Sequence, residues 1–167
     1  VTLELGYAQV ILDREAEVDR ILSLELARLT GAWGKQEAWR VFQALQQGKR
    51  TIEPIDVAGA VHHLKACQDG RRKVQALFDS HGVTPFVVYF EDVYSDPQAG
   101  RQKVADLLAY LSIDPASHDN YAALLTEALM QKGQKSGRIL DFVPNIDVAR
   151  AQLQAALGDD PVRFAVG

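Results

Sequence analysis

The chain has 167 residues, 47% of them hydrophobic and 24% charged, with a formal net charge of -4. Such values fit one soluble domain with a sizeable core, and they exclude nucleic-acid binding by bulk positive charge while leaving room for a local basic pocket. No stretch approaches the roughly 18 consecutive apolar residues of a membrane helix, and the lone Cys67 allows neither an internal disulfide nor a zinc cluster, which suits a reducing, cytoplasmic setting.

In chain order, the opening "VTLELGYAQ" lacks the basic and apolar regions of a signal peptide. Gly6 to Asp13 is a short apolar run with β-branched residues and predicts a buried strand. From Glu15, the apolar positions Val18, Ile21, Leu22, Leu24, Leu26 and Leu29 follow helical spacing, with Gly31 as the C-terminal stop. A second helix is predicted around Lys35 to Gln47, ended by Gly48 and Pro54. Asp56 is suited to cap a third, from Val57 to Ser80, whose face carries Val61, Leu64, Cys67, Val74, Leu77 and Phe78. Pro85 to Val93 ("PFVVYFEDV") is the strongest strand signal, apolar enough to lie inside a sheet covered on both faces. Asp96 and Pro97 then combine an N-cap with a proline in the first helical turn, and Val104, Leu107, Leu108 and Leu111 give that helix a core face. A further helix is predicted from Ser117 to Gln131, a basic glycine-punctuated loop from Lys132 to Arg138, and a last helix from Ile146 to Leu157. Strands alternating with helices predict an α/β fold with a parallel sheet. Only two strands stand out, so the sheet is small or part of a larger one.

The order of these phrases resembles the C-terminal half of the sulfotransferase superfamily, in the bacterial branch typified by trehalose sulfotransferase. In that family a strand ends in an arginine-containing turn, the next helix presents a serine, and a phrase of the type SL-x-x-A-x-x-TG-x-W follows; Ser23, Leu24, Ala27, Thr30, Gly31 and Trp33 fall on it. Downstream, His81, Gly82, Pro85, Phe90 to Val93, Asp96, Pro97 and Leu107 to Leu111 take the places of an HGI-x-P segment, a YEDL strand end, a DP turn and a helix ending in FLG. The resemblance covers about Ala8 to Ile113. It implies a single helix-rich, partial P-loop-like sulfotransferase fold over residues 1–167. The family's phosphosulfate-binding loop has no counterpart before Val1.

The implied activity is transfer of a sulfuryl group from 3′-phosphoadenosine 5′-phosphosulfate, as co-substrate, to a hydroxyl of a carbohydrate or other small acceptor, without a metal. A 3′-phosphate held at a strand-to-helix junction meets free backbone N–H groups and the positive end of a helix dipole, and arginine's planar fork matches phosphate oxygens in pairs. By the resemblance Arg14 and Ser23 take that phosphate, Phe90 lies near the adenine, and Trp33 lies near the acceptor pocket. The loop of Lys132, Gly133, Lys135 and Arg138 is similar to the KG-x-x-G loop of animal cytosolic sulfotransferases, and by that resemblance its cations beside glycines are expected to form a phosphate-binding nest. Two departures stand out. The family's arginine precedes the serine by eight positions, whereas here Glu15 holds that place and Arg14 lies one further back; Phe90 replaces a tyrosine.

Plainer readings stand beside these. Arg14 and Glu15 also suit solvated first-turn residues, Ser23 a small packing residue bonded to a carbonyl, and the basic loop a solvated surface. Glu91 and Asp92 suit capping of the following turn better than catalysis, and Trp33 and Trp39 suit core anchors. His62 and His63, adjacent on a helix, point about 100° apart and share no metal. The alternative function is a non-catalytic sulfotransferase-fold binding or assembly module that has lost the donor site. Expected partners are a nucleotide and a hydroxyl acceptor, with no nucleic acid and no membrane span; a homodimer stays open.

Overall fold

The computed structural model describes residues 3–130, 137–159 and 161–165. It is helix-rich with one small parallel sheet: β1 (Val10–Asp13), α1 (Glu17–Thr30), α2 (Lys35–Gln46), α3 (Val57–Ser80), β2 (Phe86–Tyr89), α4 (Phe90–Tyr94), α5 (Pro97–Tyr110), a 3₁₀ turn (Pro115–Ser117), α6 (Tyr121–Met130), α7 (Gly137–Leu140) and α8 (Ile146–Leu157). Two compact units result. One comprises Val1–Glu15, Arg71–Lys132 and Arg163–Gly167, and the other comprises Ala16–Gly70 and Gly133–Val162.

The first unit holds the sheet. β1 and β2 pair in parallel, with Val10 opposite Phe86 and Asp13 opposite Tyr89. Both strands are shorter than their apolar runs predict, because side-chain and turn chemistry at their ends overrides β-propensity. Before β1, residues 3–6 form a turn closed by the Gly6 N–H on the Leu3 carbonyl, with Gly6 at a φ of 71°. After Tyr89, the Asp92 carboxylate accepts the Tyr89 N–H at 3.2 Å and starts α4, so Phe90 opens a helix instead of extending the strand. Asp96 caps α5 as its position suggests, accepting from the N–H groups of Gln98 and Ala99, with Pro97 in the first turn. A side chain at Gly100 would run into the Val93 carbonyl, which is why α4 and α5 approach closely there. The helix predicted from Ser117 becomes a 3₁₀ turn followed by α6 from Tyr121. Val87, Tyr89 and Phe164 form the buried centre of this unit, with Ile11 against them.

Helices make up the second unit: α1, α2, α7, α8 and the part of α3 up to Gly70. Val18, Ile21, Leu22 and Leu26 of α1 are buried at helical spacing with Ala60 and Leu64 of α3 and Ala149 and Leu153 of α8. Gly31 ends α1 in the left-handed conformation, φ 72°, which costs glycine least. The Arg50 guanidinium donates to the Thr30 carbonyl at 2.9 Å, satisfying one of the acceptors left at that helix end. The Asn145 side-chain amide both accepts from the Ile55 N–H and donates to the Ile55 carbonyl, each at 2.9 Å, tying the approach to α8 to the approach to α3.

Three expectations about packing are corrected. Trp33 and Trp39 are not core anchors: they are 61% and 58% exposed. Val74 and Leu77 of α3 are exposed, whereas Leu64 and Phe78 are buried. β1 is not the buried strand expected of its apolar run: Leu12 is 76% exposed. Among the described residues no helix is long and apolar enough to cross a membrane.

Candidate functional site

Ligands of open α/β sheets collect beyond the carboxyl ends of parallel strands, where turns and helix starts present polar groups. In this chain that position is the edge formed by Asp13, at the end of β1, and Tyr89, at the end of β2, which are register partners. Arg14 follows the first and Phe90 the second. Of the residues singled out in the sequence, these two are brought together: the Arg14 guanidinium carbon lies 5.0 Å from the centroid of the Phe90 ring. Arg14 Nε is 3.6 Å from Glu91 Oε1, beyond hydrogen-bond length, and is a buried donor with no hydrogen-bond partner among the described residues. The Phe90 ring is in turn stacked at 4.5 Å on Tyr94, one helical turn on, which fixes the platform under the guanidinium.

Glu15, the residue that weighs against an anion here, is engaged elsewhere. Its carboxylate accepts from Arg163 Nη1 at 2.8 Å, and its backbone N–H donates to Glu91 Oε2 at 2.9 Å. Two cations, Arg14 and Arg163, are therefore interleaved with two carboxylates, Glu15 and Glu91. Beneath them Asp13 takes a two-pronged grip from Arg71, Nε to Oδ2 at 2.5 Å and Nη2 to Oδ1 at 2.7 Å, and also accepts the Arg14 N–H at 2.8 Å. The start of Arg14's backbone is thus held by the same carboxylate that neutralises a buried arginine. Lys103 pairs with Asp92 at 3.0 Å, so the second carboxylate of the Glu-Asp pair is spent on α4 capping and a salt bridge.

Tyr89 closes this edge from the core side. Its hydroxyl accepts the Phe164 N–H at 3.1 Å, and its pKa is raised above the ordinary 10.0, first by burial and then by the Asp13 charge, against the opposing effects of the Phe164 hydrogen bond, Arg163 and Arg71. A phenol whose folded pKa is raised favours folding in its neutral form. That contribution is complete below about pH 10 and is lost as pH rises from there through the folded-state value. Tyr89→Phe is therefore expected to flatten the alkaline fall in stability relative to the unsubstituted chain, at the expense of about 1 kcal/mol at neutral pH for the lost acceptor. Urea midpoints of both forms at pH 8 and pH 11 check it; an equal alkaline fall in the two would refute the assignment.

The remaining sequence candidates are not among the residues of this edge. Ser23, half-buried on α1, Trp33 and Arg138, exposed on α7, belong to the other unit. The Trp33 N–H donates to the Glu37 carboxylate at 2.8 Å, which also takes the Gly34 N–H and so starts α2. Lys132 and Gly133 lie outside the described residues. Arg138 belongs to a short helix and not to a loop. Among the described residues no group of His, Cys, Asp and Glu could hold a metal ion.

Sequence reasoning passed over Asp13, Arg71, Tyr89 and Arg163. For Arg71 a signal existed: Leu64, Arg71 and Phe78 follow one another at seven-residue spacing and are all buried, so an arginine occupies the apolar stripe of α3. A charge in such a stripe requires a buried counter-charge. Arg163 carried no comparable signal, because its partner Glu15 is 148 residues away.

What the site can do follows from its charges. A planar cation lying on an aromatic ring, with a donor that makes no hydrogen bond among the described residues, can take a phosphate or sulfate oxygen. No protein-family model matches this chain, nor does any curated protein or solved structure.

Proposed function

We propose that this chain is a sulfotransferase-like α/β protein that binds 3′-phosphoadenosine 5′-phosphosulfate through the carboxyl edge of β1 and β2 and serves transfer of the sulfuryl group to a hydroxyl of a carbohydrate or other small acceptor. The observation that carries this reading is the Arg14 guanidinium on the Phe90 ring, with a buried Nε that makes no hydrogen bond among the described residues. Such a donor is costly to leave unmade, and a phosphate oxygen would satisfy it. In this reading Arg14 takes the 3′-phosphate and Phe90 lies beside the adenine. The pairing of Glu15 with Arg163 supports it as well, because it offsets the carboxylate next to Arg14.

A second reading, a binding or assembly module of the same fold without catalysis, is favoured by Glu91. Its carboxylate lies 3.6 Å from Arg14 Nε and competes with any anion that approaches. Calorimetry with adenosine 3′,5′-bisphosphate separates the two. The first reading expects saturable binding that Arg14→Ala weakens about tenfold to a hundredfold, the range for losing a hydrogen bond to a charged group. Absence of heat at millimolar nucleotide, with the chain folded by circular dichroism, would leave only the second.

A further inference from the structure

The C-terminal segment is anchored at this edge. Phe164 is buried against Val87, Tyr89 and Ile11, its N–H donates to the Tyr89 hydroxyl, and the next N–H, of Ala165, donates to Gln75 Oε1 at 3.0 Å. Two consecutive backbone bonds and a buried ring fix where Arg163 begins. From there its guanidinium reaches Glu15 at 2.8 Å. Glu15 is the neighbour of Arg14, and its backbone N–H is bound to Glu91, the carboxylate that faces Arg14 Nε. The four charges are therefore linked in the order Arg163, Glu15, Glu91, Arg14, and they sum to zero. Without Arg163 the same group carries one net negative charge beside the proposed phosphate site, and the Glu15 carboxylate is left without its cation one residue from Arg14.

Resting on the reading of Arg14 as a phosphate ligand, we infer that Arg163 is a positioning residue for the anion site: by holding the Glu15 carboxylate it keeps that charge off Arg14 and leaves the guanidinium available to a phosphate. It touches no ligand itself. The device explains how an arginine followed at once by a glutamate can serve an anion, and it makes the C-terminal segment part of the site although 148 residues separate the two partners.

Both Arg163 and Glu15 are partly exposed, so the effect is that of a solvent-screened pair. Arg163→Gln is expected to weaken adenosine 3′,5′-bisphosphate binding about two- to fivefold, the range for such a pair. Glu15→Gln is expected to bind at least as tightly as the unsubstituted chain, and adding Glu15→Gln to Arg163→Gln restores the loss, because with no carboxylate there is nothing to hold. Arg163→Lys keeps the charge and retains the affinity. A second readout needs no nucleotide: the Arg14 Nε–H signal in ¹⁵N-resolved NMR should shift and exchange more slowly with water in Arg163→Gln, as Glu15 turns to Arg14, and return in the double substitution. A purely structural role for Arg163 predicts instead that Glu15→Gln does not restore the loss. That result, an Arg14 Nε–H signal unmoved by Arg163→Gln, or a loss in Arg163→Lys as large as in Arg163→Gln, overturns the inference. If the unsubstituted chain binds no nucleotide, the reading of Arg14 as a phosphate ligand fails, and the Nε–H signal still decides whether Arg163 masks Glu15.

Discussion

Asp13→Ala is expected to destabilise the chain by about 3–5 kcal/mol, the cost of leaving a buried arginine without its carboxylate. Arg71 is only 8% exposed and Asp13 14% exposed, and the guanidinium grips both carboxylate oxygens, at 2.5 and 2.7 Å. Removing Asp13 also takes the acceptor from the Arg14 N–H. A buried guanidinium can neither shed its proton nor reach water without opening the edge of the sheet. Replacing both partners, Asp13→Leu with Arg71→Met, should recover most of the loss, because two apolar side chains of similar size need no counter-charge. Urea denaturation followed by circular dichroism reads the difference. A loss below about 1 kcal/mol for Asp13→Ala would mean that the pair is solvated and behaves like a surface ion pair.

The second large effect is expected in the helical unit. Leu22→Ala removes a side chain with no exposed surface from the cluster of Val18, Ile21, Leu26, Ala149 and Leu153, at a cost of about 2–5 kcal/mol from lost burial and the cavity left behind. Leu12→Ala, the same chemical change at a position 76% exposed, is expected to stay within about 0.5 kcal/mol. The contrast tests the burial pattern directly, since the two residues look equally apolar in sequence. Hydrogen exchange of α1 and α8 amides should accelerate in Leu22→Ala and not in Leu12→Ala. Similar effects from both substitutions would contradict the packing of one of them.

Much of the helical architecture was legible because it rests on local signals. The spacing of Val18, Ile21, Leu22 and Leu26 marked the buried face of α1, and Gly31 marked its end. Asp96 with Pro97 marked the start of α5, and the span of α3 was read as it stands. The strands were located but overextended. Propensity favours Phe90, Val93 and Tyr94 in a strand, and it yielded to a single side-chain bond, Asp92 to the Tyr89 N–H, which turns the chain into α4.

The candidate site was half legible. Arg14 and Phe90 were singled out from motif order, and each stands at the end of one strand of a parallel pair. Their neighbours were not: the spacing of Leu64, Arg71 and Phe78 marks Arg71 as buried but not its partner Asp13, 58 residues away, and the pairing of Arg163 with Glu15 leaves no periodic trace. The sequence by itself determined the buried face of α1, the ends marked by Gly31 and Asp96 and the two strand-forming runs, all of which depend on residues within a turn or two of one another. Only the tertiary structure decided that Glu15 is paired with Arg163. Which charges meet is set by how distant segments pack, and a carboxylate beside an arginine has opposite meanings for an anion according to whether a third residue holds it.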